Sequence, residues 1–558
     1  LSTTLAACTS EDEPAQPGPT AETFLEAWAA EDFETMAASF TAETAQEWTP
    51  EVLSEIHDAV QESGAIESFE VELAAEVDDP EAETIEAPYS ISYSSQASRR
   101  PVRFEGALPL SLDVDNDVWQ VRWDETMLFP GVAGATAFKI TSKWPARANI
   151  VDRKGRKVAV GSGMSRSYPF GSHGGSTVGH IEPATKKHLR SLPEGYGVGD
   201  LVGASGLEEG LEERLSGEPS SSLYLVDERG RRLEKVGQTK GGRAPAVKIS
   251  LDMRVQAAAE NAYSGATGGA VVIEPRTGYV LAAVGSGPFD PNNYVGVPDI
   301  EPFNRALSGL YPPGSAMKVV TAAAAIDAGV VKPSTTVTGP ETYQGVRNFE
   351  SGTFGAIPFS TAMQNSVNTA FAQIAEDLGA KRMYKYATAF GFNRELSMPL
   401  SVARSSFPRP QDLGDLMWGS IGQAQVVATP LQMASVAATI ANKGRYIEPR
   451  IVVGDPPEKE RAVTPKTART VNELMQLVVR AGTGTAANLG SAIPVAGKTG
   501  TAEVGPVGDL QNHAWFVCFA PADKPKIAVA VVSEFGGTGG SVAAPIARQV
   551  LQAVLPLV

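Results

Sequence analysis

"YPPGSAMKVV", residues 311–320, decides how the second half of this chain folds. Pro312, Pro313 and Gly314 end any regular element before them. "AMKVVTAAAAIDAG" follows, alanine-rich and apolar with Gly329 just past its end, and predicts a helix over 315–328. Ser315 opens that helix, and Lys318, three residues on, shares its face. Serine is a favoured N-cap and lysine one turn later is ordinary, so the tetrapeptide alone describes a capped helix. The same spacing also suits a nucleophilic serine with an amine near enough to take its proton. The rest of the chain chooses between these readings.

At 558 residues the chain is too long for one core, and roughly three to four domains are expected. A hydrophobic share of 42% with 20% charged residues fits a globular protein rather than a disordered one. No run of 18 apolar residues occurs, so the stretch holds no complete membrane span. The formal charge of −17 is unevenly spread: residues 1–98 carry 23 Asp and Glu and no Lys or Arg. An acidic front argues against nucleic-acid binding there and is expected to be a solvated surface. The two cysteines, Cys8 and Cys518, cannot build a disulfide framework or a thiolate metal site. The five histidines show no metal-ligand spacing, so neither metal nor cofactor is expected.

Along the chain the hydrophobic period changes. Phe24, Leu25, Trp28, Met36 and Phe40 recur at helical spacing, as do Val52, Ile56 and Val60; His57 between them is expected on a helix surface. "FEVEL", "YSISY", "VRFEGALPLSL" and "VWQVRW" then alternate like strands, giving a small α+β domain. "WPARANIVDRKGRKVAVG" predicts two short strands around a Lys154-Gly155 turn, and the loop-rich segment to about 245 suggests an extended spacer with some strand and helix. "GGAVVIEPRTGYVLAAVG" predicts a hairpin. Helices are expected over 360–378, 430–443 and 467–481, and "AGKTGTAEV", "HAWFVCFAP" and "KIAVAVVSE" as closing strands that complete one sheet. Cys518, in the second of these, is expected to be a buried structural thiol.

Two more short stretches bear on Ser315. "SVN" is Ser366, Val367 and Asn368, and "KTGT" is Lys498, Thr499, Gly500 and Thr501. S-x-x-K, S-x-N and K-T-G in this order resemble the motifs of penicillin-binding proteins and related serine β-lactamases. "RALSGLYPPGSAMK", "GSIGQAQVVATPLQMA", "GTGTAANL", "VAGKTGTAE" and "HAWFVCFAP" are similar to transpeptidase segments of class B penicillin-binding proteins. "PARANIVDRKGRKVA" resembles the start of their pedestal, with Arg147-Ala148 where arginine-glycine is usual. The first domain resembles the NTF2-like module of the branch that includes low-affinity, resistance-type transpeptidases. The resemblance implies a multidomain α+β protein: a signal remnant and tether at 1–20, an NTF2-like domain at 21–132, a pedestal of the dimerisation type at 133–245, and a transpeptidase domain at 246–558 with a central antiparallel sheet flanked by helices.

It also implies a chemistry. Ser315 would attack the penultimate carbonyl of a peptidoglycan stem peptide ending in D-alanyl-D-alanine and form an acyl-enzyme. An amine of a second stem peptide would then make the cross-link, and β-lactam antibiotics would acylate the same serine. Lys318 would act as base, its pKa depressed by the cation of Lys498. Ser366 would relay a proton, and Asn368 would bind Lys318 and the substrate amide. The N–H groups of Ser315 and Thr501 would hold the oxyanion. Gly500 would let the substrate approach the strand, and the Thr499 and Thr501 hydroxyls would hold its carboxylate. A serine β-lactamase and a non-catalytic β-lactam sensor or scaffold share these motifs and are the alternatives. With no glycosyltransferase domain expected ahead of this one, glycan polymerisation would come from a partner complex.

"LAAC", Leu5–Cys8, resembles the lipobox of bacterial lipoproteins, which implies cleavage before Cys8 and a lipid on its thiol. A clipped signal-anchor is the other reading of this end. Either would hold the folded part at the outer face of the cytoplasmic membrane. "GKT" at 497–499 does not make a phosphate loop, because position 492 is alanine rather than glycine. "GASGL" around Ser205 lacks the second glycine of a hydrolase elbow.

Overall fold

The computed structural model describes residues 15–558 apart from 80–81, 194, 264, 286, 288, 294–302 and 506–510. Two compact units result. The first runs to Pro145 and takes in Leu192–Tyr196 and Gly217–Arg243; the second comprises Ala146–Ser191, Gly197–Ser216 and Ala244–Val558.

The first unit opens with α1 (Pro17–Ala29), α2 (Phe33–Ala38), α3 (Ala42–Glu47) and α4 (Pro50–Gly64). Asp32, Thr41 and Thr49 cap the last three by accepting a backbone N–H three residues on. The alternating stretches then form β1 (Ile66–Leu73), β2 (Thr84–Ser95), β3 (Val102–Asp113) and β4 (Val118–Val121), antiparallel in that order. Tyr89, Ile91 and Tyr93 of β2 meet Phe24 and Trp28 of α1 in one core. A second sheet, ordered β7-β6-β5, is built from β5 (Ala137–Lys143), β6 (Ser220–Val226) and β7 (Arg232–Gln238), and adds Phe138, Leu223 and Leu225 to that core. The strand expected within the spacer includes β6 and β7, whose bounds the sequence leaves open because a serine-rich strand and a charged one carry little hydrophobic signal.

His57 departs from expectation: it is buried, not on the helix surface. Leu53, His57, Val60 and Gly64 form the inward row of α4, one residue round from the Val52–Ile56 row that the sequence suggests. Trp28 Nε1 donates to His57 Nε2 at 2.7 Å, and Nδ1 lies 2.7 Å from the Leu53 carbonyl oxygen, to which it donates. The ring is thus the neutral tautomer, and burial pushes its pKa down.

In the second unit, α5 (Met253–Tyr263) precedes the expected hairpin, β8 (Gly268–Glu274) and β9 (Tyr279–Gly285). Then come α6 (Lys318–Asp327), α7 (Phe359–Gln364), α8 (Asn368–Leu378), α9 (Pro430–Ala441) and α10 (Pro465–Ala481). The chain closes with β10 (Ala496–Val504), β11 (Gln511–Ala520), β12 (Ile527–Ser533) and α11 (Ala544–Val554). The five strands make one antiparallel sheet ordered β9-β8-β12-β11-β10, with β10 at its edge. Helices cover both faces, so β11 alternates between two cores. Trp515, Val517 and Phe519 join the core of α6 and α9, while Phe516 and Cys518 join that of α5 and α11. Cys518 is fully buried, as a structural thiol should be, and burial pushes its pKa up.

Two helix expectations change in detail. The first turn at 314–317 is a 3₁₀ turn that only then becomes α6. The single helix expected over 360–378 breaks at Asn365–Val367, where Ser366 takes φ +58°. Cys8 lies outside the described residues. Among those residues no helix is long and apolar enough to cross a membrane.

Candidate active site

The serine turn is wedged in place by backbone. Tyr311 pairs with Ala428 through N–H to O bonds of 3.0 and 2.8 Å, and Gly314 N donates to the Gly422 carbonyl at 2.8 Å. Gly314 has φ +51°, and a Cβ there would stand 2.6 Å from the Thr501 carbonyl oxygen. Gly500 answers it from β10: a Cβ there would fall 2.7 Å from the Pro313 carbonyl oxygen and 3.1 Å from Ala316 N. Gly500 is therefore needed for the close approach of the Ser315 turn, on the side of the strand away from the substrate approach that the sequence suggests. Only glycine allows contact this tight.

Behind Ser315, two lysines converge on one hydroxyl. Lys318 is fully buried; its Nζ donates to the Ser366 carbonyl at 2.7 Å and to Asn368 Oδ1 at 2.6 Å, and lies 3.2 Å from Ser366 Oγ. Lys498, also fully buried, donates to the same Ser366 Oγ at 2.9 Å. The break between α7 and α8 makes this possible, because it turns both the carbonyl and the hydroxyl of Ser366 toward Lys318. Burial first, and then the Lys498 charge, push the Lys318 pKa well below that of a free lysine. Burial pushes Lys498 down to about 7. Asn368 Nδ2 donates in turn to the Arg347 carbonyl at 2.8 Å, tying the SVN turn to the hairpin Thr342–Tyr343/Val346–Arg347.

These groups open into a cleft of about 780 Å³ lined by Ser315, Ser366, Asn368, Thr499 and Thr501. The structure thus brings the motif residues named from the sequence, Cys8 apart, together in or against one cleft. Ser315 Oγ has no hydrogen-bond partner among the described residues, leaving the hydroxyl open to the cleft. Thr483 is a participant the sequence reading does not single out. Its hydroxyl lies 2.6 Å from Thr499 Oγ1, at the start of the "GTGTAANL" segment. Thr501 Oγ1 accepts from Gly539 N at 3.2 Å.

Comparison with known proteins decides the family. Residues 268–552 match the penicillin binding protein transpeptidase domain, more than half of the chain. The chain belongs to the penicillin-binding protein transpeptidases. Upstream, this transpeptidase matches the penicillin-binding protein dimerisation domain at 156–245 and an NTF2-like N-terminal transpeptidase domain at 16–135. It is 35% identical over 428 residues to the peptidoglycan D,D-transpeptidase PbpA of Mycolicibacterium smegmatis, covering 66% of this chain and 84% of that protein. Among solved structures it resembles PBP2 of Pseudomonas aeruginosa in complex with WCK 5153. That match has a TM-score of 0.65 and 32% identity, and covers 74% of this chain and 96% of the other. Penicillin-binding protein A of M. tuberculosis, solved as a ceftriaxone acyl-enzyme complex, matches with a TM-score of 0.60 and 29% identity over 74% of this chain and 98% of that one. A class B penicillin-binding protein with an NTF2-like first domain is thus the family reading of the whole chain, and serine D,D-transpeptidation its activity.

Proposed function

We propose that Ser315 is the acyl-carrying nucleophile of a transpeptidase that cross-links stem peptides ending in D-alanyl-D-alanine at the outer face of the cytoplasmic membrane. The carrying observation is the meeting of Lys318 and Lys498 on Ser366 Oγ, beside an open serine hydroxyl. Neutral Lys318 takes the Ser315 proton as Oγ bonds to the penultimate carbonyl carbon. The N–H groups of Ser315 and Thr501 bind the oxyanion. Ser366 passes the proton to the leaving nitrogen, the C–N bond breaks and D-alanine departs. An amine of a second stem peptide then attacks the ester, gives up its proton along the same path and restores Ser315. Cationic Lys498, with the Thr499 and Thr501 hydroxyls, holds the terminal carboxylate. β-Lactams enter by the same attack on their strained amide, a reading supported by the acyl-enzyme structure of the relative.

The proposed division of the chain is a tether at 1–20, the NTF2-like domain at 21–132, the pedestal at 133–245 and the transpeptidase domain at 246–558, supported by three family matches in this order. A lipid on Cys8 or a signal-anchor holds the protein to the membrane, and a glycosyltransferase complex supplies the glycan strands. The test is covalent labelling with a fluorescent penicillin, paired with turnover of a stem-peptide mimic and an amine acceptor. Wild type should do both and Ser315→Ala neither; labelling without any peptide turnover would make the protein a sensor, and rapid loss of the label with antibiotic hydrolysis a β-lactamase.

A further inference from the structure

Thr499, Thr501 and Glu503 are alternate residues of β10, so they share a face, and all three line the cleft. The first two present hydroxyls and the third a carboxylate. Glu503 is already engaged: Arg347 Nη2 donates to its Oε2 at 3.1 Å. Arg347 comes from the short hairpin whose backbone Asn368 holds, so the ion pair joins β10 to the SVN side of the cleft. Arg347 is 57% and Glu503 37% exposed, and a pair this open to solvent adds little to stability. Glu350 is the other lining carboxylate among the described residues; Lys318 and Lys498 are fully buried.

We propose that Arg347 and Glu503 together read the side chain of the donor peptide's third residue from its C-terminus, and that this side chain ends in both an ammonium and a carboxylate. The proposal rests on the transpeptidase reading above. Its basis is direction along the strand. A terminal carboxylate held at Thr499 and a scissile carbonyl at the Thr501 N–H make the peptide advance from 499 toward 503. The third residue then lies one or two strand rises, each about 3.3 Å, past Thr501. Glu503 sits two rises past it, with Arg347 attached.

The charge match selects the ligand class. An ammonium alone would satisfy Glu503 but strip Arg347 of its partner. A side chain carrying both charges exchanges the internal pair for two intermolecular ones and leaves no ion over. Guanidinium is suited to grip the carboxylate with two parallel donors. The third residue is thus of the diamino dicarboxylic type rather than a simple diamino acid.

Two synthetic donors that differ only at this residue, lysine or diaminopimelic acid, test the assignment by D-alanine release to a common acceptor amine. Wild type should favour the diaminopimelyl donor by roughly fivefold in kcat/KM, the scale of one exposed charge pair. Arg347→Gln should abolish the preference by raising KM for that donor, and Glu503→Gln should raise KM for both. Equal kcat/KM values in wild type, or a preference that survives Arg347→Gln, overturn the proposal. Penicillin labelling of wild type, run beside this, keeps the two readings apart. A protein that neither labels nor releases D-alanine from either donor sinks the transpeptidase reading and this one with it; a protein that turns over both donors equally sinks this one alone. Wild-type selectivity decides without any variant, so a misfolded substitution leaves the answer intact.

Discussion

Lys318 and Lys498, 180 positions apart, both place Nζ on Ser366 Oγ, at 3.2 and 2.9 Å. Two full ammonium charges on one hydroxyl in a buried site repel, so one lysine is driven neutral. Burial and the Lys498 charge act together on Lys318. The pair therefore divides into an amine that can accept a proton and a cation that can hold an anion.

This division predicts the pH profile. Turnover should rise with pH as Lys318 loses its proton, and fall again as Lys498 loses the charge that binds the carboxylate, at about 7. Lys498→Met removes the like charge, so the Lys318 pKa rises and the ascending limb moves to higher pH. The measurement is the penicillin acylation rate against pH for both proteins; a limb that stays put or moves down refutes the coupling, whatever the overall loss of rate.

Ser366→Ala should leave both lysine nitrogens without the hydroxyl they share and the leaving nitrogen without its proton route. A loss of about 10²–10³ in acylation rate is expected. Stopped-flow acylation checks it, and less than a threefold change would remove Ser366 from the proton path.

Gly314→Ala should be costly for a reason outside the chemistry. The residue has φ +51°, and its Cβ would press on the Thr501 carbonyl oxygen at 2.6 Å. Left-handed backbone alone costs an alanine about 1–2 kcal/mol, and displacing the Ser315 turn by 1 Å can cost roughly 10²-fold in rate. Melting temperature and acylation rate should fall together.

Thr483→Val removes a hydroxyl 2.6 Å from Thr499 Oγ1. Thr499 then loses its orientation toward the carboxylate, and KM for a stem-peptide mimic should rise roughly fivefold, the value of about one hydrogen bond, with kcat little changed. A fall in kcat at constant KM would place Thr483 in the chemical step instead.

His57 links the first unit to acidity. Its folded pKa lies below its free value of 6.5, so the stability it contributes is complete above 6.5 and is lost as pH falls through the depressed folded value. His57→Gln should flatten the decline in melting temperature on acidification. An unchanged slope would show that the folded ring titrates like a free histidine, with no depression by burial.

The motifs proposed to carry catalysis are legible because the chemistry confines each to three or four consecutive residues. Strands β2 and β3 are legible because one face is buried and the period of two is clean. Other features depend on distant partners. Arg347 and Glu503 meet across 156 positions, and neither shows anything locally beyond a charge. The break at Ser366 needs positive φ without a glycine to announce it. His57 misleads because a polar residue occupies the apolar stripe of α4, its cost met by hydrogen bonds to Trp28 and Leu53. Gly500 is legible as a glycine, but its reason is the Ser315 turn behind it.

The path of the backbone between the two units has an engineering consequence. The polypeptide leaves the first unit at Pro145, returns for Leu192–Tyr196, leaves, and returns again for Gly217–Arg243. Strand β5 finds its neighbour β6 only after that second return. No single scissors point frees the front of the molecule intact: cleavage after residue 145 would strip β5 of its partner, and Phe138 would lose the Leu223 and Leu225 that share its core. Swapping this module between relatives calls for grafting all three segments at once.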